Sequence, residues 1–203
     1  MIDEINEMNV WRDGEFAKFK INPNEVDSQL WARMCVPMIY AHWEGFVVSS
    51  LKMLLKHLNA LNLRPTQIPT KLIVVGLGDY YRTLSGKQSF SQRCDFTDRF
   101  HNLLSDTIKF KTKVETKSNL KSEVLNELCQ MFDFEFKKFK EVNPILDRLV
   151  QVRNCIAHGE NSIIPSQQNI EDYIKAVQDG VDILIGEIDN YLTHQNYLYA
   201  RSA

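Results

Sequence analysis

Cysteine is scarce and scattered in this chain: Cys35, Cys94, Cys129 and Cys155 form no C-x-x-C pair and have no histidine at metal-ligand spacing beside them. A disulfide scaffold and a zinc-type site are thereby excluded, which leaves reduced, structural thiols. An excess of positive charge is missing too. With 24 Lys and Arg against 26 Asp and Glu, the formal net charge is −2 and the pI about 6.2, so nothing global marks a nucleic-acid binder and any such contact has to be local or built by assembly. No segment approaches the roughly 20 apolar residues of a membrane span. Residues 1–7 are acidic and lack the basic start and apolar run of a signal peptide, so a cytoplasmic protein without a membrane partner is expected. The 8 glycines and 6 prolines cluster in no linker, and no internal repeat is visible. At 203 residues and 44% hydrophobic content, the chain reads as a single domain over 1–203 that can bury a real core.

What is present is helical periodicity. Over residues 28–61, apolar side chains recur at Leu30, Trp31, Met34, Cys35, Met38, Ile39, Trp43, Phe46, Val47, Leu51, Leu54, Leu55 and Leu58, spacings of three and four that predict a long amphipathic helix. Pro37 is expected to kink or break it. Residues 67–96 read as a short helix or extended loop: Leu72-Ile73-Val74-Val75 has the composition of a buried strand, but no partner strand exists elsewhere. Val75-Gly76-Leu77-Gly78 imitates a dinucleotide-binding turn, yet Tyr81 stands where the third glycine belongs. Residues 98–108 and 120–132 show helical spacing. Between them, 109–119 carries four lysines and reads as a solvated loop, and as the best local candidate for attracting phosphate. Asn143-Pro144 is a helix start, Gly159 a helix stop, and Ser166 or Asn169 a cap for a last long helix. The pattern predicts an all-α bundle.

One helix end stands out. In Arg153-Asn154-Cys155-Ile156-Ala157-His158-Gly159, an arginine able to hold a phosphate and a histidine able to move a proton near neutral pH close a helix that otherwise reads as core. Arg153 follows Leu149 by four and Val150 by three, which puts it on or beside the apolar stripe, where a guanidinium needs a partner. Glu44 shares a face with Tyr40, Val48, Leu51 and Leu55, and an Arg153–Glu44 ion pair across the bundle is expected. Asn154 and His158 lie one turn apart, whereas Arg153 and His158 converge only if the helix unwinds near Ala157. On spacing alone a second reading stands beside this one: histidine then glycine is a common C-cap, the cation suiting the negative end of the helix dipole. His42, two residues from Glu44, reads as a hydrogen-bonded residue at the core's edge, and Trp11, Trp31 and Trp43 as core or interface anchors.

Residues 145–159, with Arg153-Asn154 and His158, resemble the R-x(4 to 6)-H signature of the HEPN superfamily of helical domains. Tyr40-Ala41-His42-Trp43-Glu44-Gly45-Phe46 and Ser118-Asn119-Leu120, with the helix that follows to Leu128, look like a prokaryotic HEPN subgroup associated with toxin-antitoxin and phage-defence or restriction loci. The resemblance spans roughly residues 30–192. It implies a HEPN-like bundle with long antiparallel core helices and a variable insertion around 65–115, dimerising so that two R-x4-H motifs face one another in a shared cleft. It also implies a metal-independent endoribonuclease without a cofactor, with RNA as substrate and an antitoxin protein as a possible partner. Carried over by position, Arg153 binds the scissile phosphate, His158 serves as general acid or base, Asn154 orients them or bonds the phosphate, and Glu44 holds the site from the facing helix. The competing implication is a non-catalytic interaction, dimerisation or RNA-binding module that partners a nucleotidyltransferase or another effector.

Overall fold

The computed structural model describes residues 1–21, 26–78 and 87–199. Among them are seven α-helices and no strand: α1 Ile2–Lys20, α2 Ser28–Ala60, α3 Thr70–Leu77, α4 Phe90–Ser105, α5 Ser122–Phe132, α6 Asn143–Ala157 and α7 Gln167–Thr193, with single 3-10 turns at Pro65–Gln67 and Phe136–Phe139. The all-α expectation holds. No described helix is long and apolar enough to cross a membrane.

Helix α2 is the spine. Asp27 starts it by accepting from the Gln29 and Leu30 N–H groups at 3.1 and 2.9 Å, and it runs through Pro37 without a break. Its stripe buries Ile39, Trp43, Phe46, Leu54 and Leu58 completely, each worth about 1.5–3 kcal/mol on transfer from water. Against it pack α6 and α7, and α1 closes the other side. Gly180 of α7 lets Trp43 approach so closely that an added Cβ would sit 3.1 Å from its ring, with Leu146 of α6 beside it. Since Leu146 meets Trp43 there while Arg153 meets Tyr40, α6 runs antiparallel to α2.

Three expectations need correction. Residues 2–20, to which the periodicity assigned no element, form helix α1, with Asp3 and Glu4 in its first turn and Lys18 and Lys20 in its last, the charge order the helix dipole favours. Asn143 does not cap α6. It lies in the first turn after Val142, its Oδ1 buried without a partner, and Pro144 takes the second position. Helix α4 starts at Phe90 rather than 98, because Ser89 and Gln92 form a capping box there. Within 67–96 the structure has the short helix, one of the two expectations, as α3, which takes in the strand-like Leu72–Val75 run; residues 79–86, with Tyr81, lie outside the described residues.

The lysine-bearing segment is extended rather than a loose loop. From 108 to 116 inward and outward positions alternate, Ile108, Phe110 and Thr116 buried, Lys109, Lys111, Lys113 and Glu115 exposed. Its Phe110 backbone pairs both ways with the Asn59 amide, at 2.7 and 2.9 Å, and its Thr116 hydroxyl reaches Glu44 at 2.6 Å. The geometry agrees with an extended segment lying along α2: six extended residues span about 20 Å, and the fifteen helical residues from Asn59 back to Glu44 span about 22 Å.

Candidate active site

Three stretches of sequence converge on the Arg153 guanidinium. From α2 comes Tyr40, 5% exposed, whose ring centroid lies 3.9 Å from the Arg153 Cζ. From the turn before α5 comes the Ser118 carbonyl, which accepts from Arg153 Nη2 at 2.7 Å. Next to it, Asn154 Nδ2 donates to Asn119 Oδ1 at 3.1 Å. The same turn is stitched to its surroundings at both ends. Its Leu120 N–H donates to the Tyr40 hydroxyl at 3.0 Å, and Ser122 binds the Asp147 carboxylate of α6 through its N–H and its hydroxyl, both at 2.6 Å.

This turn carries local strain. Lys117 and Ser118 both take positive φ, 56° and 49°, a conformation unfavourable by about 1–2 kcal/mol per non-glycine residue. Consecutive left-handed residues turn the Ser118 carbonyl onto Arg153, so the strain sits at the contact that fixes the guanidinium.

Glu44 is in the cluster but not as Arg153's partner. The expected ion pair is absent: Tyr40 stands between the two, and the Glu44 carboxylate accepts from Thr116 and lies against the Tyr40 hydroxyl. Burial is the first cause pushing the Tyr40 phenol above its ordinary pKa; the Leu120 N–H opposes it and Glu44 adds to it. Arg153 is thus neutralised through a π face and one carbonyl, with its Nε buried and unpaired. An unsatisfied buried donor of this kind costs about 1–3 kcal/mol.

His158 stands apart from this cluster. The helix does not unwind at Ala157; it continues to a Schellman end in which Gly159 N–H bonds to Ile156 O at 3.1 Å and Glu160 N–H to Cys155 O at 3.0 Å. Gly159 takes φ 80°, the conformation expected of it. His158 caps this end exposed to solvent, and no hydrogen bond of its ring is formed with the described residues. Within one chain, then, Arg153, Asn154 and Glu44 share a cluster, whereas His158 lies about 140° round the helix from Arg153, on Asn154's side.

His42 takes the structural role expected of it. Buried against Trp11 and Phe16, both ring pairs at 5.0 Å, it places Nε2 2.9 Å from the Glu15 carboxylate of α1. Sequence reasoning gave no role to Tyr40, Thr116, Ser118 or Asn119. The available signal was that Tyr40 precedes Glu44 by one turn on the same face, and that Thr116 sits on the inward phase of an alternating segment.

No curated protein and no solved structure matches the chain. The RiboL-PSP-HEPN family model matches residues 7–190, a span that takes in all of α2 to α6 and nearly all of α1 and α7. The all-helical bundle, the three converging stretches and this match agree, and the chain belongs to the RiboL-PSP-HEPN family, within the HEPN superfamily.

Proposed function

We propose that this protein is a metal-independent endoribonuclease of a toxin-antitoxin or phage-defence system, acting as a homodimer in which two Arg153–His158 ends form one cleft. The observation that carries the reading is the built setting of Arg153: a cation held on a buried tyrosine, beside an asparagine, one helix end away from a solvent-facing histidine with no partner among the described residues. HEPN membership supports a nuclease-like or RNA-related module.

The chemistry is a phosphoryl transfer within the RNA. The ribose 2′ oxygen attacks phosphorus, the bond to the 5′ oxygen breaks, and a 2′,3′-cyclic phosphate remains. One His158 accepts the 2′-OH proton and the His158 of the partner subunit gives a proton to the leaving 5′ oxygen, so protons balance across the two-fold axis. Arg153 stabilises the charge that grows on the equatorial oxygens, with Asn154 beside it. Glu44 and Tyr40 hold the arginine's surroundings. DNA, lacking the 2′-OH, is inert in this scheme.

A dimer finds support in the surface of α2. Leu30, Met34 and Met38 repeat at one-turn spacing and are 53, 55 and 48% exposed. Arg33, one position before Met34, donates to the Ile163 carbonyl at 2.7 Å and so ties the loop that follows His158 to α2. A contiguous apolar stripe next to the histidine end is the kind of surface a second copy covers.

The test is incubation of purified protein with structured and unstructured RNA in EDTA, comparing wild type with Arg153→Ala and His158→Ala. Loss of cleavage in both, with folding intact, is expected. Undiminished cleavage in both removes the proposal. The second reading, a non-catalytic module partnering a nucleotidyltransferase or other effector, draws support from the engagement of Arg153 by Tyr40 and Ser118 within its own chain. RNA binding without cleavage by the wild-type protein would favour it.

A further inference from the structure

We propose that the extended segment 109–117, together with the groove beside it, is a binding track for single-stranded RNA that leads the strand's backbone into the Arg153 site. This inference rests on the reading of that site as one that acts on RNA.

The track begins with geometry. Lys111 and Lys113 take successive outward positions of one extended stretch, so their stems stand about 6.7 Å apart along a line; Lys109, one step earlier, turns its ammonium back onto the end of α2, donating to the Asn59 carbonyl at 3.3 Å and to Asn62 Oδ1 at 2.7 Å. A row of cations at that interval follows the phosphate repeat of an extended single strand, which a helix face or a folded loop does not do. The stretch is held straight from beneath, by Ile108 N–H on the Leu63 carbonyl at 2.8 Å, by the Asn59 amide on Phe110, and by Thr116 on Glu44. It is therefore a fixed rail with its charges on one edge.

Next to the rail lies a groove of about 1020 Å³ between α3, α5 and the extended segment. Its edges carry Lys71, paired with Asp133, and Lys111 and Lys113, and its apolar lining includes Val74 and Met131, left 43 and 40% exposed. Apolar lining and basic edge are the two parts of a sequence-tolerant single-strand site: phosphates follow the lysines and base faces lie against the lining. A duplex has its bases stacked and paired and offers no such faces. Glu115 and Glu127 also line the groove, and Lys113 is paired with Glu115 at 2.5 Å and Lys117 with Glu127 at 3.2 Å. Both pairs are well exposed, and exposed pairs of this kind exchange readily for phosphate contacts.

The direction of the rail gives it a destination. From Lys113 to Thr116 is about 10 Å of extended chain, after which Thr116 touches Glu44 and Ser118 touches Arg153. A strand laid along the lysines is thus delivered to the guanidinium. The local row also accounts for RNA binding by a chain of net charge −2.

The test is fluorescence anisotropy of labelled 2′-O-methyl oligouridylate, which lacks the attacking 2′-OH, with the full chain over a salt titration, and cleavage is read separately on the unmodified strand. For Lys111→Gln with Lys113→Gln we expect Kd to weaken about 10-fold and the log–log salt slope to fall by about 0.7 per lysine removed. Lys111→Arg with Lys113→Arg retains the affinity, and both variants keep wild-type circular dichroism. An unchanged Kd and salt slope in the glutamine variant overturns the track, as does selective binding of polyglutamate in place of the oligonucleotide. The two proposals separate cleanly. Binding that the glutamine variant weakens, without any cleavage of the unmodified strand, keeps the track and removes the ribonuclease. Cleavage with Kd and slope unchanged in the glutamine variant does the reverse.

Discussion

The guanidinium of Arg153 rests on the ring of Tyr40, with Cζ 3.9 Å from the ring centroid, and the tyrosine's hydroxyl is itself pinned by the Leu120 N–H at 3.0 Å. The ring therefore does two separable things: its face holds the cation, and its hydroxyl satisfies a buried backbone donor. Tyr40→Phe keeps the face and orphans the Leu120 N–H, so it should destabilise by about 1–3 kcal/mol while leaving the cleavage rate of the folded protein near wild type. Tyr40→Leu removes the face. A cation–π contact worth about 0.5–2 kcal/mol disappears, and cleavage should fall about 10-fold. Urea unfolding and initial cleavage rates on one RNA distinguish the two.

Gly159 offers an unusually pure test of backbone conformation. Its φ is 80°, yet a Cβ added there would meet nothing within 4 Å. Gly159→Ala should thus destabilise by about 1 kcal/mol through the left-handed conformation alone, read as a lowered urea midpoint at unchanged m-value. Because the Schellman end sets the direction of His158, cleavage should fall by more than the loss of folded protein explains.

The bundle was legible where one physical rule acts alone. Helices α2, α5 and α7 follow apolar spacing, and the ends at Gly159 and Ser166 follow capping chemistry. Helix α1 was hidden because Arg12 interrupts its buried stripe of Ile5 and Phe16; the guanidinium is buried there by stacking 4.7 Å from Trp11 and 5.5 Å from Phe46, and by donating to the Met8 carbonyl. In the site, the sequence pointed to Arg153, Asn154 and Glu44 together, but charge pairing suggested the wrong neighbour for Arg153. A ring between the two charges holds the cation through its quadrupole where an ion pair would hold it by charge–charge attraction, and side-chain spacing does not separate those alternatives. The extended segment was missed because lysines dominate its composition while the burial signal lies in the residues between them.

His42 makes stability depend on pH. Burial is the first cause that lowers its pKa from 6.5, with Glu15 working in the opposite direction. The unfolded chain therefore takes up the proton first as pH falls, so the stabilising difference is fully present above the unfolded value and is lost as pH drops through the lowered folded value. Between pH 7 and 5, the midpoint of urea unfolding should fall for wild type and fall less for His42→Gln. Parallel pH profiles for the two proteins would contradict this assignment of the titrating group.

Dimerisation through α2 has the most demanding consequence. If Leu30, Met34 and Met38 are covered by a second copy, placing charge there must separate the chains without unfolding them, since these side chains are about half exposed in the single chain and contribute little to its core. Met34→Glu with Met38→Glu should then run as a monomer of 23.6 kDa in light scattering, with wild-type helix content, whereas the wild type runs at twice that mass. Burying two carboxylates in an apolar contact costs several kcal/mol, enough to shift the association by more than about 100-fold. Cleavage should disappear with the dimer, because each His158 loses the counterpart that handles the other proton. Binding of single-stranded RNA along the lysine edge should survive, since that edge belongs to one chain. A monomeric variant that still cleaves at the wild-type rate would place the whole proton transfer within one subunit.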